Sequence, residues 1–219
     1  MLSSVYIPLS SPKYPLISDN IQPPLQEYSA LNFSSFSQDV LMHRWLCGFL
    51  IYLSATTSAT PTVEAGFSSG KDGHSAQTMV LHLINGAHKS IEMMAYEFKA
   101  PDIVAALGKA AERGVKVSVV IDYHANKSNK LSLAAIPDAI SHGVVIRVDR
   151  HFHIQHDKVM IIDGRILETG SFNYTPTAEK ANSENILVLR HIPKVIERFQ
   201  RHFETRWKYG VPYQKGDLK

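Results

Sequence analysis

The chain has 219 residues, of which 44% are hydrophobic and 20% are charged, a composition typical of a globular protein with one domain and a sizeable core. Its single cysteine, Cys47, excludes an internal disulfide and a zinc site built from several cysteines. The net charge is +3, and the positive excess lies after Gly66 because only Lys13 and Arg44 among the basic residues precede it. Such an excess suits a polyanionic ligand without requiring one.

The first 41 residues are rich in Ser, Pro and Tyr and show no persistent helical or strand period. We therefore predict that residues 1–41 are a disordered extension or lie outside the natural product. In that second case Met42 is the natural start of the protein.

Residues 42–65 have the order of a secretory signal peptide. Met42 is followed by a short basic start, the apolar run Trp45–Leu53, and small residues that allow cleavage after Ala59 or Ala65. The alternative is a short buried or membrane-associated helix, since the apolar run is too short to span a bilayer comfortably. The leader predicts a periplasmic or secreted protein, with no stable membrane association once the leader is removed.

Residues 66–219 alternate between helical and strand patterns, as expected for a folded α/β domain. Helices are predicted over 75–89, 101–114, 131–143 (interrupted near Pro137), 177–181 and 193–208. Strands are predicted over 90–98, 115–124, 144–149, 156–163, 165–172 and 185–190, with a tight turn at Gly164. This alternation predicts a three-layer α/β/α sandwich with a mixed central β-sheet.

Polar side chains follow the two strands that flank Gly164. His156 and Lys158 are two residues apart on one strand and therefore share a face, whereas Asp163 faces the other way. Ser171 and Asn173 share a face at the end of the second strand. An imidazole, a fixed positive charge and two hydrogen-bonding groups that meet at one spot suit a phosphate. The intervening Gly170 allows close approach of a ligand or of backbone.

The pattern His156-x-Lys158-x4-Asp163-x6-Gly170-Ser171-x-Asn173 resembles the complete HKD signature of the phospholipase D superfamily. The resemblance covers most of residues 75–209. It is closest to the small bacterial phospholipase D-type nucleases, which carry one HKD motif and a downstream segment like "NSEN" at 182–185. It implies a phospholipase D-like fold.

The resemblance also implies a role for each matching residue. His156 is the expected nucleophile and forms a phosphohistidine. Lys158 and Asn173 are expected to bind the non-bridging phosphate oxygens, with support from Ser171. Glu184 is expected to hydrogen-bond the nucleophilic histidine and to fix its tautomer.

Two further residues are candidates with less direct support. The motif names Asp163 as catalytic, although strand parity favours a structural pairing role for it. Lys99 follows a strand end in "YEFK", and among the scattered basic residues it is the best candidate for a further phosphate contact.

The segment "HFHIQH" raises the alternative of a metal site formed by His151, His153 and His156. On a strand these three histidines do not converge on one ion, because His156 falls on the opposite face. We therefore predict no metal and no cofactor, and a metal-independent reaction.

The sequence favours an exported phosphodiesterase that acts on DNA or RNA, a non-specific endonuclease. The alternatives are a lipid phosphodiesterase of phospholipase D or cardiolipin type, which would use the same catalytic residues, and a non-catalytic nucleic-acid-binding module. Two-motif members of the family use a second HKD histidine, whereas only His156 stands in that spacing here. The resemblance therefore implies a homodimer whose active site is shared across the two-fold axis.

Overall fold

The computed structural model describes residues 59–68 and 75–218, which form an α/β fold. The strands are β1 (Thr62–Phe67), β2 (Ser90–Ala95), β3 (Lys116–Asp122), β4 (Val145–Asp149), β5 (Lys158–Ile162), β6 (Ile166–Gly170), β7 (Asn185–Arg190) and β8 (Val211–Pro212). The helices are α1 (Ala76–Asn85), α2 (Pro101–Glu112), α3 (Tyr123–Asn126), α4 (Lys130–Ser141), α5 (Pro176–Lys180) and α6 (Pro193–Tyr209).

The strands form one mixed sheet in the order β1-β7-β6-β5-β2-β3-β4-β8. Strands β2, β3 and β4 are parallel, and the remaining pairs are antiparallel. The prediction of a mixed central sheet is confirmed.

Hydrophobic cores lie on both faces of the sheet. On one face α1, α2 and α4 pack against side chains such as Met93, Val119 and Met160. On the other face Ile196 and Phe203 of α6 pack against the alternate side chains of the central strands. These two layers of helices confirm the three-layer sandwich.

The helix ends follow the local sequence signals. Ser75 caps α1 by accepting a hydrogen bond from the backbone N–H of Thr78, and Pro101 opens α2. The predicted interruption at Pro137 is wrong, because α4 continues through it from a side-chain cap at Asn129. Proline removes one internal hydrogen bond, but the fully buried Ile136 anchors this turn to the core.

Several elements were not predicted from the sequence. Strand β1 begins at Thr62, ahead of the predicted domain start at Gly66, and pairs along its whole length with β7. The short elements α3 and β8 were also missed. The predicted extension over 1–41, and the predicted leader as far as residue 58, lie outside the described residues. Within the described part of the chain, no helix is long and apolar enough to cross a membrane.

Candidate active site

Four of the predicted site residues, His156, Lys158, Ser171 and Asn173, gather at one edge of the sheet. Lys158 opens β5 and Gly170 closes the antiparallel β6, so the residues just outside these two strands lie side by side. The carboxyl end of β2 reaches the same edge, with Ala95 opposite Lys158. In open α/β sheets, ligands bind outside the carboxyl ends of the parallel strands.

Gly170 brings β6 very close to β7. A Cβ atom at this position would lie 2.1 Å from the carbonyl oxygen of Asn185 and 2.8 Å from Cα of Ile186. The close approach that Gly170 was predicted to allow is therefore an approach of the β7 backbone, which leaves no room for a side chain. The approach holds the segment after β6 against the residues that precede β7.

His156 is exposed and lies just before β5. Its ring packs edge-on against Tyr96, with 4.6 Å between ring centroids. The preceding Gln155 is buried, and its backbone N–H donates a 2.7 Å hydrogen bond to the buried carboxylate of Asp122 at the end of β3. The nucleophile therefore sits on a tethered segment and remains open to a substrate.

Lys158 lies beneath His156 and is only 6% exposed. Its Nζ donates to the His156 carbonyl oxygen at 2.9 Å and lies 4.8 Å from the centroid of the Tyr96 ring. Burial lowers the pKa of Lys158, although the carboxylates of Glu184, Asp157 and Glu97 act against the shift. Its ammonium is desolvated and forms no ion pair in the described part of the chain, so an anionic phosphate that enters the site supplies the missing charge partner.

Asn173 follows β6, and its side-chain oxygen is buried without a hydrogen-bond partner among the described residues. Ser171 has a different environment, since its hydroxyl donates to Glu184 Oε2 at 2.6 Å and accepts from the Asn185 backbone N–H at 3.0 Å. Asn173 Nδ2, the donor that a phosphate oxygen needs, also has no hydrogen-bond partner among the described residues and is available to a ligand, whereas the Ser171 hydroxyl is engaged with Glu184.

Glu184 is hydrogen-bonded by residues other than His156. Its Oε2 accepts from Ser171 and its Oε1 accepts from Asn182 Nδ2 at 2.8 Å. Among the described residues no hydrogen bond joins Glu184 to His156, and its expected role in fixing the tautomer of the histidine stays a prediction. Its charge acts on Lys158 instead.

Asp163 does not join the catalytic group. It follows the far end of β5, in the turn before Gly164, with a φ of 54°. Its carboxylate accepts backbone hydrogen bonds at 2.7 Å from Lys89, at 3.0 Å from Ser90 and at 3.2 Å from His88. These contacts agree with the pairing role indicated by strand parity and leave Asp163 away from His156 and Lys158, so the catalytic role that the motif names for it stays a prediction without geometric support.

The Asp163 carboxylate is also shifted electrostatically. Burial alone would raise its pKa, but the N–H groups of Ser90, Lys89 and His88 outweigh this effect and lower the pKa below its usual value. Asp163 therefore stays ionised and fastens the start of β2 to the end of β5.

Lys99, the predicted additional phosphate contact, forms an ion pair with Glu97. Its side chain is only 13% exposed, and its backbone N–H donates to the carbonyl oxygen of Tyr174 at 3.1 Å. A lysine whose charge is already paired is a weaker phosphate ligand than Lys158.

Some residues that shape the site were not singled out from the sequence. Tyr96 contacts both His156 and Lys158, and its place at a strand end was the only signal for it. Ser68 holds Glu184 from the N-terminal side, since Ser68 N–H donates to Glu184 O at 3.0 Å and Ser68 Oγ accepts from Glu184 N–H at 2.8 Å. No local pattern links residues so far apart in sequence.

The opposite side of the site carries another ionic contact. Asp157 accepts a hydrogen bond from His202 Nε2 at 3.0 Å and lies 3.9 Å from Nε of Arg206. Because Asp157 and His156 are consecutive, this contact anchors the nucleophile segment to α6.

The histidines considered as metal ligands point to different neighbours. His151 stacks on Tyr209, His153 faces His124, and His156 contacts Tyr96. Across residues 59–68 and 75–218, no three His, Cys, Asp or Glu side chains are grouped in a way that would hold a metal ion.

A buried carboxyl lies below the catalytic edge. Glu168 is on β6, two residues before Gly170, and its Oε2 accepts a 2.9 Å hydrogen bond from the hydroxyl of Tyr174. Both side chains are fully buried. Burial raises the pKa of Glu168 to about 8, and the Tyr174 hydroxyl opposes the shift. The carboxyl is therefore mostly protonated at neutral pH.

Residues 80–207 match the protein family described as cardiolipin synthase, PLD-like domain. Among curated proteins, the chain is 32% identical over 138 residues to a mitochondrial cardiolipin hydrolase of Xenopus tropicalis, which covers 63% of this chain and 64% of that relative. It is 36% identical over 111 residues to a phospholipase D of Rickettsia conorii, covering 50% of this chain and 54% of that protein. The chain therefore spans less than two thirds of the length of these relatives.

Among solved structures, the fold is similar to Nuc, a phospholipase D family member from Salmonella typhimurium. The TM-score is 0.66 at 44% identity, covering 71% of this chain and 99% of Nuc. NucT from Helicobacter pylori gives a TM-score of 0.60 at 23% identity over 70% of this chain and 100% of NucT, a likeness of fold.

Proposed function

The chain belongs to the phospholipase D superfamily of phosphodiesterases, and we propose that it is an exported enzyme that hydrolyses phosphodiester bonds of nucleic acid through a phosphohistidine intermediate. The observation that carries the proposal is the grouping of an exposed His156, a buried Lys158 and an uncommitted Asn173 amide at one sheet edge. The resemblance of the single HKD motif and of "NSEN" to small bacterial nucleases supports nucleic acid as the substrate.

The reaction proceeds in two displacements at phosphorus. An imidazole nitrogen of His156 forms a bond to phosphorus, the P–O bond to the leaving oxygen breaks, and that oxygen takes a proton from a general acid. Water then attacks the phosphohistidine and gives a proton to the group that acted as general acid, the P–N bond breaks, and the imidazole is released. Lys158 and Asn173 stabilise the charge on the non-bridging oxygens in both steps.

The general acid is best supplied by His156 of a second copy in a two-fold homodimer. Among the eleven histidines only His156 has the HKD spacing. His202 on α6 is engaged by Asp157, the residue next to His156. An exposed His156 at a sheet edge is open to an equivalent residue across an axis. One imidazole must be neutral and the other protonated, so activity should be bell-shaped in pH around the histidine range.

Mixed dimers of wild type and His156→Ala test this arrangement. If the cleft is shared, a heterodimer lacks a complete site and is nearly inactive. Half of the wild-type activity per heterodimer would mean that each chain works alone, with His153 or Glu184 as the proton donor.

Export rests on the order of residue types from Met42 to Ala65. Of the two cleavage points, Ala59 is the one compatible with the fold, because cleavage after Ala65 would remove Thr62–Ala65 from β1 and its pairing with β7. Expressed in a Gram-negative host, the protein should fractionate outside the cytoplasm with Thr60 as its first residue. An uncleaved chain in the cytoplasm would contradict this part of the proposal.

A lipid phosphodiesterase is the second candidate, favoured by the names of the matched family and of the curated relatives. Plasmid, single-stranded DNA, RNA and cardiolipin vesicles should be offered in parallel to the purified protein and to His156→Ala, with and without EDTA. Nucleic acid cleavage that needs His156 and survives EDTA supports the proposal. Cleavage of cardiolipin alone would assign the second candidate, and binding without cleavage would indicate a non-catalytic module.

A further inference from the structure

A surface of aromatic and imidazole rings lies beside the active site, and we call it the aromatic strip. The strip belongs to the segments that follow β3 and β4 and to the end of α6. Its members are Tyr123, His124, His151, Phe152, His153 and Tyr209.

The rings of the strip form two contacting groups, and four of the six residues are exposed. His151 and Tyr209 stack with 4.0 Å between centroids and 10° between planes, and both residues are exposed, Tyr209 by 44%. Phe152 packs edge-on against both of them. At the other end, His153 and His124 are exposed and 6.5 Å apart. Rings that are fixed by their neighbours lose little side-chain freedom when a ligand stacks on them.

Cationic side chains lie over these rings. Arg150 is 4.3 Å and Lys127 is 5.6 Å from the centroid of Tyr123, and Arg206 is 4.3 Å from that of Phe152. The nearest carboxylates, on Asp217 and Asp157, are 3.8 Å from Arg150 and 3.9 Å from Arg206. A third carboxylate, of the buried Asp149, accepts the backbone N–H groups of His151 and Phe152. Lys127 has no carboxylate within ion-pair distance in the described part of the chain and is free to contact a phosphate.

The strip and the nucleophile share one edge of the sheet. Strands β5, β2, β3 and β4 are consecutive neighbours, so the carboxyl end of β4 lies about 15 Å from the start of β5 at ~4.8 Å per strand. His153 is three residues from His156, which limits the distance between their Cα atoms to about 11 Å. A polymer whose phosphate is at His156 thus reaches the strip with its next few units.

We propose that the aromatic strip binds unpaired bases of a single-stranded nucleic acid next to the phosphate that is cleaved. The inference deepens the proposed function and rests on it. Exposed ring faces stack on bases only when these are unpaired, while neighbouring cations contact the phosphates. An acyl chain would need a continuous aliphatic surface, whereas the exposed aliphatic residue of this segment is Ile154.

The test compares His151→Ala/Tyr209→Ala with two matched variants. The first, His151→Phe/Tyr209→Phe, keeps the flat rings. The second, His88→Ala, removes an exposed imidazole at the opposite end of the sheet and leaves the backbone contact with Asp163 intact. Binding of a labelled single-stranded oligonucleotide and of its duplex is measured in a His156→Ala background, which prevents turnover.

We expect the double alanine variant to bind the single strand roughly 5- to 150-fold more weakly, as for the loss of one base–aromatic stack. Duplex affinity should change little, and both control variants should bind like the parent. With His156 present, hydrolysis of a small diester, bis(p-nitrophenyl) phosphate, should be unchanged, whereas kcat/KM on the oligonucleotide should fall.

Equal single-strand affinity in the double alanine variant would overturn the inference while leaving the proposed function intact. An equal loss on duplex and single strand would also overturn it. A shift in oligomeric state would instead make the strip a contact between copies, and lost binding to cardiolipin vesicles would make it a lipid surface. If the parent cleaves the small diester and no nucleic acid, the proposed function fails as well.

Discussion

The buried Glu168 should make the stability of the protein depend on pH, and Glu168→Gln should remove that dependence. Burial raises the pKa of Glu168 from 4.5 to about 8. In the unfolded chain the carboxyl ionises above its ordinary pKa, whereas in the folded protein it stays protonated until about pH 8. Ionisation therefore stabilises the unfolded state relative to the folded state as pH rises through this window.

The magnitude follows from the size of the shift. Each unit of pKa difference corresponds to about 1.4 kcal/mol, so this group lowers the free energy of unfolding by about 5 kcal/mol between pH 4.5 and pH 8. Below pH 4.5 the carboxyl is protonated in both states and does not lower the free energy of unfolding. Above pH 8 it is ionised in both states, and the free energy of unfolding falls no further. A small domain is stable by about 5–15 kcal/mol in total, so the effect is large enough to measure.

Urea unfolding of wild type and Glu168→Gln at several pH values provides the measurement. Because Glu168 Oε1 has no partner among the described residues, the glutamine brings an unpaired buried NH2 that costs about 1–3 kcal/mol at every pH. The readout is therefore how the difference in free energy of unfolding changes with pH, and not its size at any one pH. The variant should become more stable relative to wild type as pH rises. Glu197→Gln, at an exposed glutamate on α6, should run parallel to wild type. A constant difference between Glu168→Gln and wild type from pH 4.5 to pH 8 would refute the reasoning.

The remaining predictions concern contacts that hold the site. Asp163→Asn should destabilise the fold by about 1–3 kcal/mol at pH 7, because a carboxylate that accepts backbone N–H groups is replaced by an amide. The pKa of Asp163 is lowered in the folded protein, so its contribution to stability is lost as pH falls through that pKa, and the two proteins should become equally stable in acid. Folded Asp163→Asn should still cleave substrate. Gly170→Ala should cost about 1–3 kcal/mol in urea unfolding and lower kcat, since its Cβ would displace the Asn185 backbone; wild-type kcat would contradict the close approach. Ser68→Ala should lower the free energy of unfolding by about 1–2 kcal/mol and lower kcat, because it releases Glu184. Ser68→Thr should restore stability and kcat. A loss of stability with unchanged kcat would limit Ser68 to a structural role.

The parts of the fold that were predicted depend on local signals. The β5–β6 hairpin has its turn residue Gly164 with a φ of 65°, and α2 has Pro101 at its start and a φ of 89° at Gly114 just after its end. Side-chain alternation in β5 was also predicted, since Met160 packs on one face of the sheet and Val159 on the other. These features need only residues that are close in sequence.

The parts that were missed depend on contacts between distant residues. Strand β1 pairs with β7 more than 100 residues later, and its sequence overlaps the small-residue end of the predicted leader. The partners of Glu184 include Ser68, which no spacing rule connects to it. Tyr96 and the contact between Asp157 and His202 likewise depend on tertiary packing. The residue types of the site were therefore predictable, but not the network that positions them.

The spacing of the HKD residues has a direct structural meaning. Lys158 and Asp163 are separated by the length of β5, a strand of five residues, or about 17 Å at 3.3 Å per residue. The lysine is thus fixed at the catalytic edge, while the aspartate is fixed at the opposite edge, where it fastens the start of β2. At its other end β2 supplies Ala95 opposite Lys158, and Tyr96 follows it directly. Asp163 at one end of the antiparallel β2–β5 pair therefore helps to keep Lys158 in place at the other end. The aspartate is therefore a positioning residue that does not contact substrate. A slip of β5 against β2 by two residues would move the ammonium by about 7 Å, out of reach of a phosphate held at His156, whereas a folded Asp163→Asn that keeps the register should keep the site.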